Sequence, residues 1–308
     1  MKKMRSTKTF ILILAAGSLA VASCKKSADN SSGNETQLQQ TTMQNAADQY
    51  QLQTDEETMN SDANTAVAAN SSFAVGGTDN SLIAGAVVDY SLITDVVKKI
   101  KITYTGESIL GFVRTGDITI ELVNGNDWAE AGAILKITVE NVKITFLGHW
   151  VIHNGTCYIT NVSGGLAWIS GADSIQHKER INGTVTFDDN STITWWAARR
   201  NYYVKSISTF ASHGDTLVNN ENCSMGGMDR YGINFLVKAP QPIVSNATCG
   251  FDKPVSGIRI FAAENRNTTI TFGVTQTGTP VNEGDCAYGY KVEWTQWNGQ
   301  PGTAVISY

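Results

Sequence analysis

From about Ser81 onwards, apolar and polar residues alternate with the period of two that turns every second side chain to one face of a β-strand. Residues 100–104, 117–122, 135–139 and 142–146 are clear runs of this kind, rich in the Val, Ile, Thr, Tyr and Phe that suit a half-buried pleated surface. Turn residues fall between the runs at hairpin spacing. Asn124-Gly125 and Asn154-Gly155 each supply the two positive-φ positions of a type I′ turn, and the second predicts a hairpin between 150–153 and 156–160. Asp188-Asp189-Asn190 links 183–187 to 192–196, and Asn298-Gly299 links 290–297 to 303–307. No amphipathic helix separates these runs. The body over 81–308 is therefore expected to be all-β, an antiparallel meander forming an extended or curved sheet or sandwich. Residues 206–222 carry the weakest strand signal, the place where a seam would fall.

The N-terminal pattern is different. Residues 1–8 carry Lys2, Lys3, Arg5 and Lys8 without an acid, and an apolar run over 10–21 follows. That is the layout of a secretory signal, and the run is short of the roughly 20 apolar residues that span a bilayer. Val21-Ala22-Ser23-Cys24 resembles a bacterial lipobox, which implies a signal peptide over 1–23 and a diacylglyceryl group on Cys24. The rival is ordinary cleavage after Ala20-Val21-Ala22, which would release a soluble protein. The chain holds five cysteines, and acylating Cys24 leaves an even four for an oxidising compartment. A two- or three-chain anchor, at about 0.8 kcal/mol per buried methylene, is effectively stable. Residues 24–80 are mostly Gln, Asn, Ser, Thr, Ala, Asp and Glu; they read as a flexible polar tether, with at most a transient helix over 37–60 because no apolar stripe is present to dock it.

Charge narrows the partners. The chain has 23 Lys+Arg and 28 Asp+Glu; removing the signal leaves 19 against 28, a net charge of −9. An acidic surface disfavours phosphate-rich partners, so nucleic acid is set aside.

Several short elements then point to a family. Gly116-Asp117-Ile118-Thr119-Ile120, Asn161-Val162-Ser163-Gly164-Gly165, Gly183-Thr184-Val185-Thr186-Phe187 and Thr194-Trp195-Trp196-Ala197-Ala198-Arg199-Arg200 occur in that order. Cys249 leads to Pro254-Val255-Ser256-Gly257, then to Thr269-Ile270-Thr271-Phe272-Gly273 and Gly284-Asp285-Cys286. Over residues 100–308 the chain resembles a group of uncharacterised Bacteroidota lipoproteins, with Ala287 where those proteins usually have Asp. The resemblance implies outer-membrane anchoring in the cell envelope and brings no activity. Four cysteines allow three pairings. The resemblance implies Cys249 with Cys286, which leaves Cys157 with Cys223.

Chemistry is sparse. His149 and His153 lie in a strand pattern, about 13 Å apart, too far to share a metal. His177 and His213 have no ligand-like neighbours in sequence, and no nucleophile, zinc or phosphate-loop motif occurs. Asp188 and Asp189 read as a solvated hairpin tip rather than a hydrolytic carboxylate pair. Two aromatic groups, Trp195, Trp196, Tyr202 and Tyr203 beside Arg199 and Arg200, and Trp294 with Trp297, are candidates for stacking on sugar rings; alternation places one of Trp195 and Trp196 in the core. Asp173-Ser174-Ile175 and Asp215-Thr216-Leu217 resemble Bacteroidota O-glycosylation acceptors at Ser174 and Thr216. The expectation is a lipid-anchored, non-enzymatic binding or structural module without cofactor or metal, whose partners are the membrane and a glycan or another envelope protein; the alternative is a polysaccharide-acting hydrolase or glycan-binding protein. Which leaflet or face of the membrane it occupies is not legible.

Overall fold

The computed structural model describes residues 30–73, 83–94, 96–167, 173–204, 208–263, 266–296 and 299–308. Among these residues one helix, α1 (Asn30–Ala68), precedes fifteen strands: β1 (Ala86–Asp89), β2 (Lys99–Ile109), β3 (Phe112–Asn124), β4 (Ile134–Phe146), β5 (His149–Asn161), β6 (Ser174–Phe187), β7 (Thr192–Val204), β8 (Thr209–Gly214), β9 (Thr216–Val218), β10 (Glu221–Met228), β11 (Asn234–Asn246), β12 (Ser256–Ala263), β13 (Arg266–Val274), β14 (Gly289–Thr295) and β15 (Pro301–Ser307). They form one antiparallel sheet in meander order, as the alternation predicts. β8 and β9 stand off the main path within the weak-signal stretch; β8 pairs with β7 and β11, while β7 also pairs with β10, so the sheet runs on through that stretch.

Two predicted hairpins are corrected. Asn154 and Gly155 lie inside β5, which pairs without a break with β6. The turn that closes β4 to β5 is Leu147-Gly148, at φ 50° and 86°. Leu110-Gly111 closes β2 to β3 in the same way. Leucine at a left-handed position carries no turn signal, so the periodicity was interrupted at the wrong Asn-Gly. Asn124-Gly125 ends β3 but opens a nine-residue connection to β4 rather than a two-residue turn. The 188–190 hairpin is present, with Asn190 at φ 65°. The last hairpin joins β14 to β15; Trp297 and Asn298 lie outside the described residues.

The expected flexible tether is also corrected. Leu52, Met59, Ala63, Ala66 and Val67 of α1 join the main hydrophobic core with Ile100, Ile120, Trp128 and Ile159. Ala46 joins a second core with Ile270, Tyr290 and Trp294. Nine inter-strand steps separate β3 from β14, about 43 Å along a flat sheet. Yet α1 reaches Arg114 on β3 from Asp62, and Tyr290 on β14 from Tyr50, positions about 18 Å apart along the helix. The sheet therefore curls around α1, giving a concave face that holds the helix and a convex face turned away from it.

Cys249 and Cys286 form a disulfide with Cα atoms 5.3 Å apart. Cys157 and Cys223 do not pair; both are buried thiols. β6 and β7 separate their strands, a distance of about 14 Å, whereas a disulfide needs Cα atoms within about 7 Å.

Candidate functional site

The concave face carries the strongest electrostatics. Acids on α1 meet arginines and a histidine of the sheet and its turns, one after another. Arg230 donates from Nε and Nη2 to the two carboxylate oxygens of Asp48, both at 2.7 Å. His153 Nε2 lies 2.9 Å from Asp55, with both side chains buried. Arg114 and the Tyr104 hydroxyl both donate to Asp62 Oδ2 at 2.7 Å. Arg199 Nη2 approaches Glu56 Oε2 to 2.6 Å, an ionic contact rather than an aligned hydrogen bond.

Arg199 stands opposite Glu179 on β6, so one guanidinium serves two carboxyls. Burial pushes Glu56 up to about 8 and raises Glu179, with Arg199 opposing in both cases. Burial also pushes Arg259 down to about 9, helped by repulsion from Arg199. The space beside this network is small. A cavity of about 20 Å³, lined by Gln49, Gln53, Arg199, Ser224 and Arg259 among others, has room for one water, which needs about 10–15 Å³. His177 is buried between Trp128 and Tyr203, at ring distances of 5.2 and 5.1 Å, with neither ring nitrogen hydrogen-bonded. Burial holds it down to about 4.

The convex face is built differently. Gly155, Gly183, Trp195 and Gly227 lie in register across β5, β6, β7 and β10. A Cβ on Gly155 would come within 2.6 Å of the Asn182 carbonyl oxygen, and one on Gly227 would collide with that of Thr194. The strands are pinched on the concave side of this row, and the sheet creases there. Outward-facing residues on either side of the crease form two banks: Asn154, Thr184 and Thr194 on one, Asn182 and Trp196 on the other. Between them lies an open trough of about 540 Å³.

The adjacent tryptophans divide between the faces, as alternation predicts. Trp195 is buried on the concave face, its Nε1 3.3 Å from where a Gly183 Cβ would stand. Trp196 is half-buried on the convex face over Gly226. Three of its ring atoms, Cζ2, Cε2 and Nε1, lie 2.7, 2.9 and 3.0 Å from the position of a Gly226 Cβ. The Nε1–Cζ2 edge of the indole therefore packs against the bare backbone of Gly226, in space that any side chain there would fill. The half-buried indole lines the trough.

The chain matches no protein-family model, no curated protein and no solved structure. The site is thus read from its own geometry.

The remaining sequence candidates scatter. Tyr202 packs edge-on against His213 at 5.2 Å, Tyr203 lies beneath the sheet with His177, and Trp294 is buried over Gly302. The predicted stacking aromatics do not form one surface. Asp188 contacts His149 at 2.6 Å, while Asp189 accepts from Ser191 and Arg230, so the adjacent acids turn to different partners. Ser174 is exposed at the start of β6, and Thr216 begins β9. Cys24 lies outside the described residues. Among the described residues no three His, Cys, Asp or Glu side chains gather for a metal, and no helix is apolar enough to cross a membrane. The glycine crease was missed in the sequence, although Gly155 and Gly183 already stood within strand-like runs, where glycine often marks a bend or close backbone approach.

Proposed function

We propose that this protein is an envelope-anchored, non-enzymatic binding module, held at the outer membrane by a lipid on Cys24 and working through the convex face of its sheet. One observation carries the reading: the two faces are divided between a filled one and an open one. The acids raised most by their surroundings belong to α1 or lie beneath it, paired with arginine beside a space the size of one water. That arrangement suits holding a helix, whereas a hydrolase needs two carboxyls about 5–9.5 Å apart across a cleft that admits substrate. The convex trough has the opposite character, open and free of acids.

Photo-crosslinking in intact cells tests this. Benzoylphenylalanine at Thr184, on the trough bank, should give a discrete adduct; the same group at Thr105, exposed on β2 of the same face, should give none. No adduct at Thr184, or equal adducts at both positions, would refute a binding role for the trough. Cys24→Ala should in parallel move the protein from the membrane pellet to the soluble fraction; continued pelleting would refute the lipid anchor.

A further inference from the structure

Resting on the binding-module reading, we infer that the trough across β5, β6, β7 and β10 is a subsite for an uncharged polysaccharide strand, with Trp196 as its stacking platform. Three features select that chemistry. The platform comes first. The edge of Trp196 is seated against Gly226, where a side chain would collide with it, and the half-buried ring lines the trough before any ligand arrives. A rigid aromatic gives contact area at little entropic cost, and a sugar ring offers it a flat face of C–H groups.

The banks supply the second. Asn154, Asn182, Thr184 and Thr194 are all amides or hydroxyls. Each has donor and acceptor capacity, as sugar hydroxyls do. Asn154 is already oriented, because its Oδ1 accepts from the Asn141 N–H at 2.8 Å and its Nδ2 remains as the donor. No lining residue is charged, so an ionic ligand would lose hydration there without gaining a counter-charge. The closest cation along β6, Arg180, is held by Asp215 at 2.6 Å.

Shape is the third. The trough is open at its ends and runs across the strands for three inter-strand steps, about 14 Å. A chain can enter and leave it, whereas a small free ligand would be only half covered.

Affinity electrophoresis of the full-length protein in detergent tests the inference. One set of gels holds dextran, mannan, xylan or mixed-linkage glucan; a second holds neutral polysaccharide extracted from the producing cell's own envelope; a third holds alginate or polygalacturonate. Retardation by a neutral polymer is expected, and which of the first two sets retards tells an external glycan from a self-glycan. Trp196→Ala should weaken binding about thirtyfold, as truncation of an aromatic anchor does. Thr184→Asp, at an exposed position that does not touch the core, should abolish retardation while leaving the thermal midpoint in place. Retardation only by the acidic polymers, or retardation by neutral ones that both variants retain, would overturn the inference. No retardation in any gel, together with a persistent Thr184 adduct to protein, would overturn the sugar class and leave the binding-module reading standing.

Discussion

Replacing Arg199 by Met asks whether buried charge holds α1 in its groove. The Arg199 and Glu56 side chains are 5% and 6% exposed, and Glu179 stands across from Arg199 on the neighbouring strand. Burial raises both carboxyls and the same guanidinium opposes both shifts, so the three groups titrate as a unit. Burial works against the Arg199 charge, but Glu56 and Glu179 hold its guanidinium above the ordinary value. Methionine keeps much of the stem and removes the charge. The carboxyls must then either keep a bare charge in the core or both be protonated. Stranding one partner of a buried pair costs about 3–5 kcal/mol, and that is the expected loss of unfolding free energy. Urea titration followed by tryptophan fluorescence measures it. The triple variant Arg199→Met with Glu56→Leu and Glu179→Leu should recover most of the loss, because the three charges leave together and Glu57 keeps Arg259 as its counter-charge. The single-variant loss should also grow between pH 5.5 and pH 8.5, as protonating both carboxyls becomes harder. A single variant within about 1 kcal/mol of wild type, or a triple variant as unstable as the single, would show that apolar contacts alone seat the helix.

Buried groups of opposite sign set the wider pH response. His177, lowered to about 4 from 6.5, adds stability as pH rises between those values, while Glu56, raised from 4.5 to about 8, and Glu57, raised from 4.5 to about 7, remove it over their own intervals. Thermal midpoints should therefore fall from about pH 4.5 towards 8, and His177→Phe should fall more steeply than wild type between about 4.5 and 6.5. Replacing both Cys249 and Cys286 by Ser should cost about 4 kcal/mol, because the bridge closes a loop with a sequence separation of 37. Alkylation after unfolding without reductant should modify Cys157 and Cys223 and leave Cys249 and Cys286 unmodified, as mass spectrometry will show. Leu147→Asn should stabilise by about 1 kcal/mol, since Leu147 is exposed at φ 50° in a turn that suits Asn; a lowered thermal midpoint would contradict this.

Strand alternation was legible because each buried face repeats locally. Ile100, Ile102 and Tyr104 are inward on β2, and Ile118 and Ile120 on β3, as a period of two requires. Where one strand ended and the next began was less legible. The sequence offered Asn154-Gly155 as a turn, but that glycine answers to Gly183 on the next strand, a requirement set by a partner 28 residues away. Leu147 turns the chain despite its poor intrinsic fit, because the flanking strands pair in one register from the turn to Val142 and His153. The trough was half legible. Two adjacent tryptophans on a strand must face opposite sides, but which one faces outward depends on where α1 lies.

The helix was illegible for a more general reason. A search for docking signals looks for apolar periodicity, and α1 has little of it beyond Leu52, Met59 and Ala66. The same spacing of seven recurs in its acids, Asp48, Asp55 and Asp62, which places them along one face. Their partners Arg230, His153 and Arg114 are 182, 98 and 52 residues away in the chain, so nothing local announces that the stripe is matched. An unmatched stripe of acids is a solvated face; a matched one is a docking face, and the difference lies wholly in the sheet. Such docking is also conditional in a way that apolar docking is not. Burial raises Glu56, next to that stripe, from 4.5 to about 8, so a rise in pH between those values weakens the helix's seat.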